Sequence, residues 1–331
     1  MGSSYIVKIA NYAPQRIVSN AEMAYLINSE KIILSGDLLK EKFGIEERRF
    51  ADEEEQASDL AVKAALKILE PEDYTTIDCL IFASGSSDMI EPATASIIQS
   101  KLKLSCPAFD IKNACNSFVC GIQTANALIV SETYKKILLL SGEKLSAIIK
   151  FSYEDNAEFM KRFASLSMGD AGAAAILEKS DSDSGIYAQK FQTNGEYWEL
   201  CTVPGGGSLH PHDGSKVYFE GRTTEMRKVF FEKKGKIIEN ALNEAGWLLS
   251  DLDLVFMHHV SVQTFEMVAN DLHISKDKFY NVFENYGNMA ASSIPFALSD
   301  AYNKNILKKG NKIMLLGLAS GISISVQLLI W

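Results

Sequence analysis

Short apolar runs alternate along this chain with longer stretches in which apolar residues recur every three or four positions. Cys79-Leu80-Ile81-Phe82, Ile137-Leu138-Leu139-Leu140, Leu254-Val255-Phe256-Met257 and Ile313-Met314-Leu315-Leu316 each read as a buried strand, and the periodic stretches between them read as helices. Buried strands separated by helices predict parallel pairing through crossover connections, hence an α/β fold. The pattern also repeats. Asp78 heads its run as Asp253 heads another 175 positions on, and Lys136 is echoed by Lys312 after 176. Two matches at nearly one offset predict two similar α/β halves packed together. The expected organisation is a first half over residues 1–180, connecting loops over 181–214, where Gly, Ser, Asp and His accumulate, and a second half over 215–331. Residues 313–331 carry no charge and are long enough to imitate a short membrane span. The small-residue break at Ala319-Ser320-Gly321 and the alternation of Ile322, Ile324 and Val326 with Ser323 and Ser325 instead predict two strands joined by a turn.

Composition narrows the class. With 331 residues, 47% apolar and 23% charged, the chain has ample length for a core and is not disordered, collagenous or a multi-span membrane protein. An excess of 42 acidic over 33 basic residues, net charge −9, argues against tracking nucleic-acid phosphates, which needs a basic footprint. Five cysteines without a C-x-x-C pair argue against a disulfide framework or structural zinc and for a reducing compartment. The first fifteen residues lack a cationic segment followed by an apolar one, and Ile6 occupies the position where a myristoylation motif needs Ser or Thr. No export and no lipid anchor are expected, and the expected location is cytoplasmic.

Candidate chemistry centres on three places. Cys115 lies between a strand ending near Ile111 and a helix announced by Phe118, Val119, Ile122 and Ala125, so it sits at a strand-to-helix turn. The positive end of a helix favours thiolate there, and its free N–H groups can hold an oxyanion; the bland alternative is a small buried thiol, which is how Cys120 reads. His258 and His259 end the strand from Leu254, with a helix from about Gln263, and strand carboxyl ends are where α/β proteins place sites. Adjacent strand residues point to opposite faces, so one His faces inward, the other away, and the pair is no metal site. Glu284-Asn285-Tyr286-Gly287-Asn288 follows an expected strand over 279–283 and precedes a helix with Pro295 in its first turns. If the halves are pseudo-symmetric, Asn288 occupies the second-half equivalent of Cys115. The clusters Gly169-Asp170-Ala171-Gly172 and Gly205-Gly206-Gly207-Ser208 lack P-loop and dinucleotide contexts and read as close packing and turns. The basic run of Arg227, Lys228, Lys233, Lys234 and Lys236 reads as a solvated helix face, or as a dock for an acidic carrier.

Taken together, Phe43-Gly44-Ile45-Glu46-Glu47-Arg48, Cys106-Pro107-Ala108-Phe109-Asp110 leading to Ala114-Cys115, Gly169-Asp170-Ala171-Gly172-Ala173, Gly287-Asn288 and Ala319-Ser320-Gly321 resemble the 3-oxoacyl-[acyl-carrier-protein] synthase III family of the thiolase-like superfamily. The resemblance spans the whole chain and implies a five-layered αβαβα fold. It implies a Cys115, His259, Asn288 triad, in which Cys115 takes an acyl group from a thioester while His259 and Asn288 stabilise the enolate formed as a malonyl or 3-oxoacyl carrier loses carbon dioxide. It further implies an oxyanion hole from the backbone N–H groups of Cys115 and Ser320, substrate contacts from Lys42, Glu91, Arg162 and Met168, and no metal or redox cofactor. The implied partners are acyl carrier protein and acyl-CoA or acyl-carrier donors, with a homodimer, or a heterodimer, and neither nucleic acid nor membrane. Leu38 stands where the starter enzymes of fatty-acid synthesis carry an adenine-stacking Trp, Lys42 where they carry Arg, Glu91 where an aromatic crosses the dimer, and Val260-Ser261-Val262 where Gln-Ala-Asn follows the His. These departures resemble a secondary-metabolism ketosynthase branch making polyketide-like chains. The alternatives are acyl transfer to an oxygen or nitrogen nucleophile without condensation, and a scaffold subunit of a heterodimeric ketosynthase, which would be expected to lose triad members.

Overall fold

A computed structural model describes residues 3–27, 29 and 31–331. Ten strands form two five-stranded sheets. The first contains β1 (Ser4–Tyr12), β2 (Cys79–Ala83), β3 (Ala108–Ile111), β4 (Lys136–Glu143) and β5 (Ala171–Lys179) in the order β1-β5-β4-β2-β3. The second contains β6 (Gly185–Thr193), β7 (Leu254–Met257), β8 (Phe279–Tyr280), β9 (Lys312–Ala319) and β10 (Ser323–Ile330) in the order β6-β10-β9-β7-β8. Shifting each number by five turns one order into the other. The pairings match as well: β2 is parallel to β3 and β4, β7 to β8 and β9, and the remaining neighbours are antiparallel. The repeat in the sequence is thus a repeat of topology.

Alternation along the strands sets the layers. Leu80, Phe82, Leu138 and Leu140 face α1 (Ala57–Ala65) and α2 (Thr94–Leu102) on the outside of the first sheet, while Ile81, Ala83 and Leu139 face inward. Inside, α3 (Ser117–Val130) and a second central helix meet residues of both sheets in one apolar cluster that includes Phe118, Val119, Phe256 and Leu315. On the far side of the second sheet, Val255, Met257, Met314 and Leu316 pack with α4 (Ile237–Ala245) and α5 (Val262–Leu272). The second central helix is α6 (Ser293–Asn303), and the five layers are helix, sheet, helix, sheet, helix. This is the thiolase-like arrangement that the resemblance implied.

Two local expectations change. Residues 181–214, read as loops, contain β6, a nine-residue strand at the edge of the second sheet. The strand expected over 279–283 is only Phe279–Tyr280, because Asn281 Oδ1 accepts the Phe283 N–H at 2.6 Å and turns the chain into the helical turn Phe283–Tyr286. Among the described residues, no helix is long and apolar enough to cross a membrane, and residues 313–331 form the antiparallel pair β9 and β10.

Candidate active site

The turn carrying Cys115 is built by its neighbours. Ser117 Oγ accepts the Asn113 N–H at 2.8 Å and donates to the Ala114 carbonyl at 2.7 Å, and Ala114 takes φ 47°, a left-handed conformation unfavourable for alanine. The loop therefore doubles back and presents Cys115 one residue before Asn116, the N-cap of α3. Cys115 packs against a buried cluster that contains Leu166, Met168, Phe283 and Ala290. Burial pushes its thiol above the ordinary value, with the Glu143 carboxylate and then Cys201 adding to the shift. The helix N-terminus favours thiolate, as read from the sequence, but lost hydration outweighs it. Cys115, the candidate nucleophile, is therefore held as a thiol.

Asn288 comes from the second half and meets the first. Its N–H donates to the Ser167 carbonyl at 2.7 Å, its carbonyl accepts the Gly169 N–H at 3.0 Å, and it pairs with Met168 in an isolated bridge. The Ala290 N–H donates to Asn288 Oδ1 at 2.9 Å, so the side-chain oxygen is occupied and the Nδ2 amide is the free donor. Gly287 holds φ 67°, and a Cβ there would stand 2.4 Å from the Ser167 carbonyl oxygen, so only glycine fits this junction. Arg48, fully buried behind it, donates to the Val18 and Leu166 carbonyls at 3.2 and 3.0 Å, and burial lowers it to about 10.

Both histidines are buried, and both lie just past β7, which ends at Met257. His258 has neither ring nitrogen hydrogen-bonded. His259 stacks on Phe265 of α5 at 5.2 Å and lies 6.2 Å from Phe283, lining a small cavity with Phe283, Gly287, Met289 and Ser293. Phe283 also belongs to the cluster that packs with Cys115, and Gly287 and Met289 flank Asn288, so the fold brings the sequence-assigned His259 to the loop that carries Asn288. Burial lowers His258 to about 4 and His259 to about 3, so both are neutral near pH 7.

Other sequence-assigned residues divide. Ser320 stands in the turn between β9 and β10, before Gly321 at φ 115°, and Met168 is buried against Asn288. Arg162 is drawn into an ion-pair network. It is 5% exposed, bonded to Glu220 at 2.9 Å and Glu158 at 3.4 Å, and stacked over Tyr218. Lys42 is exposed and 3.1 Å from Glu41, Glu91 is exposed beside Met89 and Ile90, and Leu38 packs against the Cys115 cluster. In the basic run, Lys228, Lys233, Lys234 and Lys236 each lie within 4.0 Å of a carboxylate and Arg227 bonds Gln263, so it is no free cationic face. Glu143 escaped sequence reasoning. It is buried at the end of β4, accepts the Gly85 and Ser86 N–H groups at 2.6 and 3.0 Å and the Ser86 hydroxyl at 2.7 Å, and burial holds its carboxyl above the usual range. An acidic residue closing an apolar run was its only signal.

Comparison with known proteins places the chain in a family. Residues 109–195 match the family described as 3-oxoacyl-[acyl-carrier-protein (ACP)] synthase III, and residues 242–331 match its C-terminal counterpart. The chain is 32% identical to a beta-ketoacyl-[acyl-carrier-protein] synthase III of Natranaerobius thermophilus over 100% of both chains. It is 30% identical to one of Fusobacterium nucleatum, covering 100% of this chain and 99% of that one. Among solved structures, OleA of Xanthomonas campestris superposes with TM-score 0.88 at 26% identity, covering 100% of this chain and 98% of OleA. The 3-oxoacyl-[acyl-carrier-protein] synthase III of Aquifex aeolicus superposes with TM-score 0.85 at 26% identity, covering 99% and 100%.

Proposed function

The chain belongs to the 3-oxoacyl-[acyl-carrier-protein] synthase III family of condensing acyltransferases, and from that premise we propose that it joins a Cys115-bound acyl group to a malonyl or 3-oxoacyl carrier by decarboxylative Claisen condensation. The observation that carries this reading is the amide of Asn288. Its oxygen is held by the Ala290 N–H, and its free Nδ2 donor belongs to a loop packed in one cluster with Cys115. A fixed donor beside a nucleophile suits a developing enolate.

The neutral imidazole of His259 takes the Cys115 proton as sulfur attacks the thioester carbonyl, and returns it to the departing carrier thiolate. The acyl group is left on Cys115. When the second thioester loses carbon dioxide, its carbonyl oxygen becomes an enolate oxygen, stabilised by Asn288 Nδ2 and the His259 N–H. The enolate carbon attacks the acyl carbonyl, the backbone N–H groups of Cys115 and Ser320 hold the tetrahedral oxyanion, and collapse releases the Cys115 thiolate for reprotonation. No step calls for a metal or redox cofactor. The proposed donors are acyl-CoA and acyl carrier protein, and the proposed assembly is a homodimer. Departures at Leu38, Lys42 and Glu91 favour a polyketide-like role over the fatty-acid starter reaction.

Intact-protein mass spectrometry with a panel of acyl-CoA and acyl-carrier thioesters tests the reading. Wild type should gain the acyl mass and Cys115→Ala should not. Condensation with loss of carbon dioxide should fall about 10²- to 10⁴-fold in His259→Ala and in Asn288→Ala. Condensation by Cys115→Ala would refute the mechanism, and near-wild-type condensation by His259→Ala would remove His259 from it. A product that retains the carboxylate carbon would indicate simple acyl transfer.

A further inference from the structure

The residue after the nucleophile makes contacts that the reaction scheme leaves unused. Asn116 is fully buried, and its side chain crosses from the first half to the second. Its Nδ2 donates to the Ser323 carbonyl at 3.0 Å and lies 3.1 Å from the Ser323 hydroxyl, while its Oδ1 accepts the Ser325 hydroxyl at 3.1 Å. The neighbouring strand is shaped for this amide: a Cβ on Gly317 would lie 1.9 Å from Asn116 Oδ1 and 2.2 Å from Ser325 Oγ. Any side chain at residue 317 would expel it. Asn113, at the start of the same turn, also reaches the Ser323 hydroxyl at 3.2 Å. The matching link in the other direction is slighter: Ser292, just before α6, meets Ser141 of β4 at 2.9 Å.

These bonds end close to a functional element. Ser323 opens β10 three residues after Ser320, and Gly317 lies three residues before it on β9. Asn116 adjoins Cys115. One amide therefore spans the seam between the two backbone N–H groups assigned to the acyl oxyanion hole, which come from different halves of the molecule.

We propose that Asn116 is a positioning residue that fixes the separation of the Cys115 and Ser320 N–H groups and so sets the acyl oxyanion hole. The inference rests on the acyl-enzyme reading above. Donors aimed at an oxyanion lose much of their effect when displaced by about 1 Å, whereas S-alkylation by iodoacetamide needs no oxyanion hole. The diagnostic quantity is the ratio of the rate of Cys115 acylation by a thioester to its rate of alkylation.

In Asn116→Ala this ratio should fall about 10- to 100-fold with KM for the thioester little changed, and in Ser325→Ala, which removes only the bond to Oδ1, it should fall by a smaller factor. If Asn116→Ala does not fold, Ser325→Ala and Ser323→Ala carry the same comparison. An unchanged ratio in the folded variants, or acylation and alkylation falling together, overturns the proposal and leaves Asn116 a structural residue. A wild-type protein that takes up no acyl group from any thioester refutes the proposed function and this inference with it. Normal acylation of wild type with an unmoved ratio refutes the inference alone.

Discussion

Cys115 and His259 are buried as a neutral thiol and a neutral imidazole. Burial raises the first and lowers the second to about 3, so the folded site disfavours a resting thiolate–imidazolium pair. Charge arises only as the thioester reacts. Alkylation of Cys115 by iodoacetamide should therefore keep rising through pH 9, with no inflection between pH 6 and 8. A plateau near pH 7 in the pH–rate profile would reveal a preformed ion pair and contradict this account. The position of Cys115 at a helix start was legible in the sequence, but its acidity was not. The covering residues Met168 and Phe283 lie far along the chain, and only the fold brings them over the sulfur. The two histidines teach the same lesson. Alternation predicts that one faces inward, but β7 ends at Met257, and the packing of His259 against Phe265 and Phe283 comes only from the fold.

Elements are placed by glycines at close contacts. On β4 and β5, a Cβ at Gly142 would stand 1.9 Å from the Ala57 carbonyl oxygen, and one at Gly172 would stand 2.0 Å from the Leu60 carbonyl oxygen. The backbone of α1 rests directly on the sheet there, and its buried face is largely alanine, which permits the approach. Gly172→Ala must push α1 outward and should destabilise the protein by about 1–3 kcal/mol, measured by chemical denaturation. A change below about 0.5 kcal/mol would show that the helix yields freely. Close packing was the reading of the Gly169–Gly172 segment from sequence, and the structure agrees. By contrast, β6 was missed. It is a partly exposed edge strand whose register shifts opposite Leu328 and Leu329, so its apolar residues do not keep one alternation. The central strands were legible because burial on both faces makes them continuous apolar runs.

At the scale of the molecule, duplication puts the site at a seam. Cys115 precedes one central helix, Asn288 leads into the other, and His259 follows a strand of the second sheet that ends at Met257. The offset repeat foretold the two halves, but the reciprocal side-chain crossings that lock them were invisible until the strands were paired. Burying both histidines there couples stability to pH. Unfolded histidine titrates near 6.5, whereas His258 and His259 stay neutral until about 4 and 3. Between pH 6.5 and about 4 the unfolded chain binds more protons, so the stability present above pH 6.5 is lost as pH falls. Each histidine contributes a slope of up to about 1.4 kcal/mol per pH unit. Glu143 and Asp170, raised by burial, act oppositely, their contribution being lost as pH rises through their folded values. Comparing wild type with His259→Gln cancels that part. Urea denaturation at pH 7, 6 and 5 should show a shallower loss of stability in His259→Gln, by about 1 kcal/mol per pH unit in the lower half of the range. Parallel slopes would mean that His259 gains a proton in the folded protein, which its stacking against Phe265 and unpartnered Nε2 oppose.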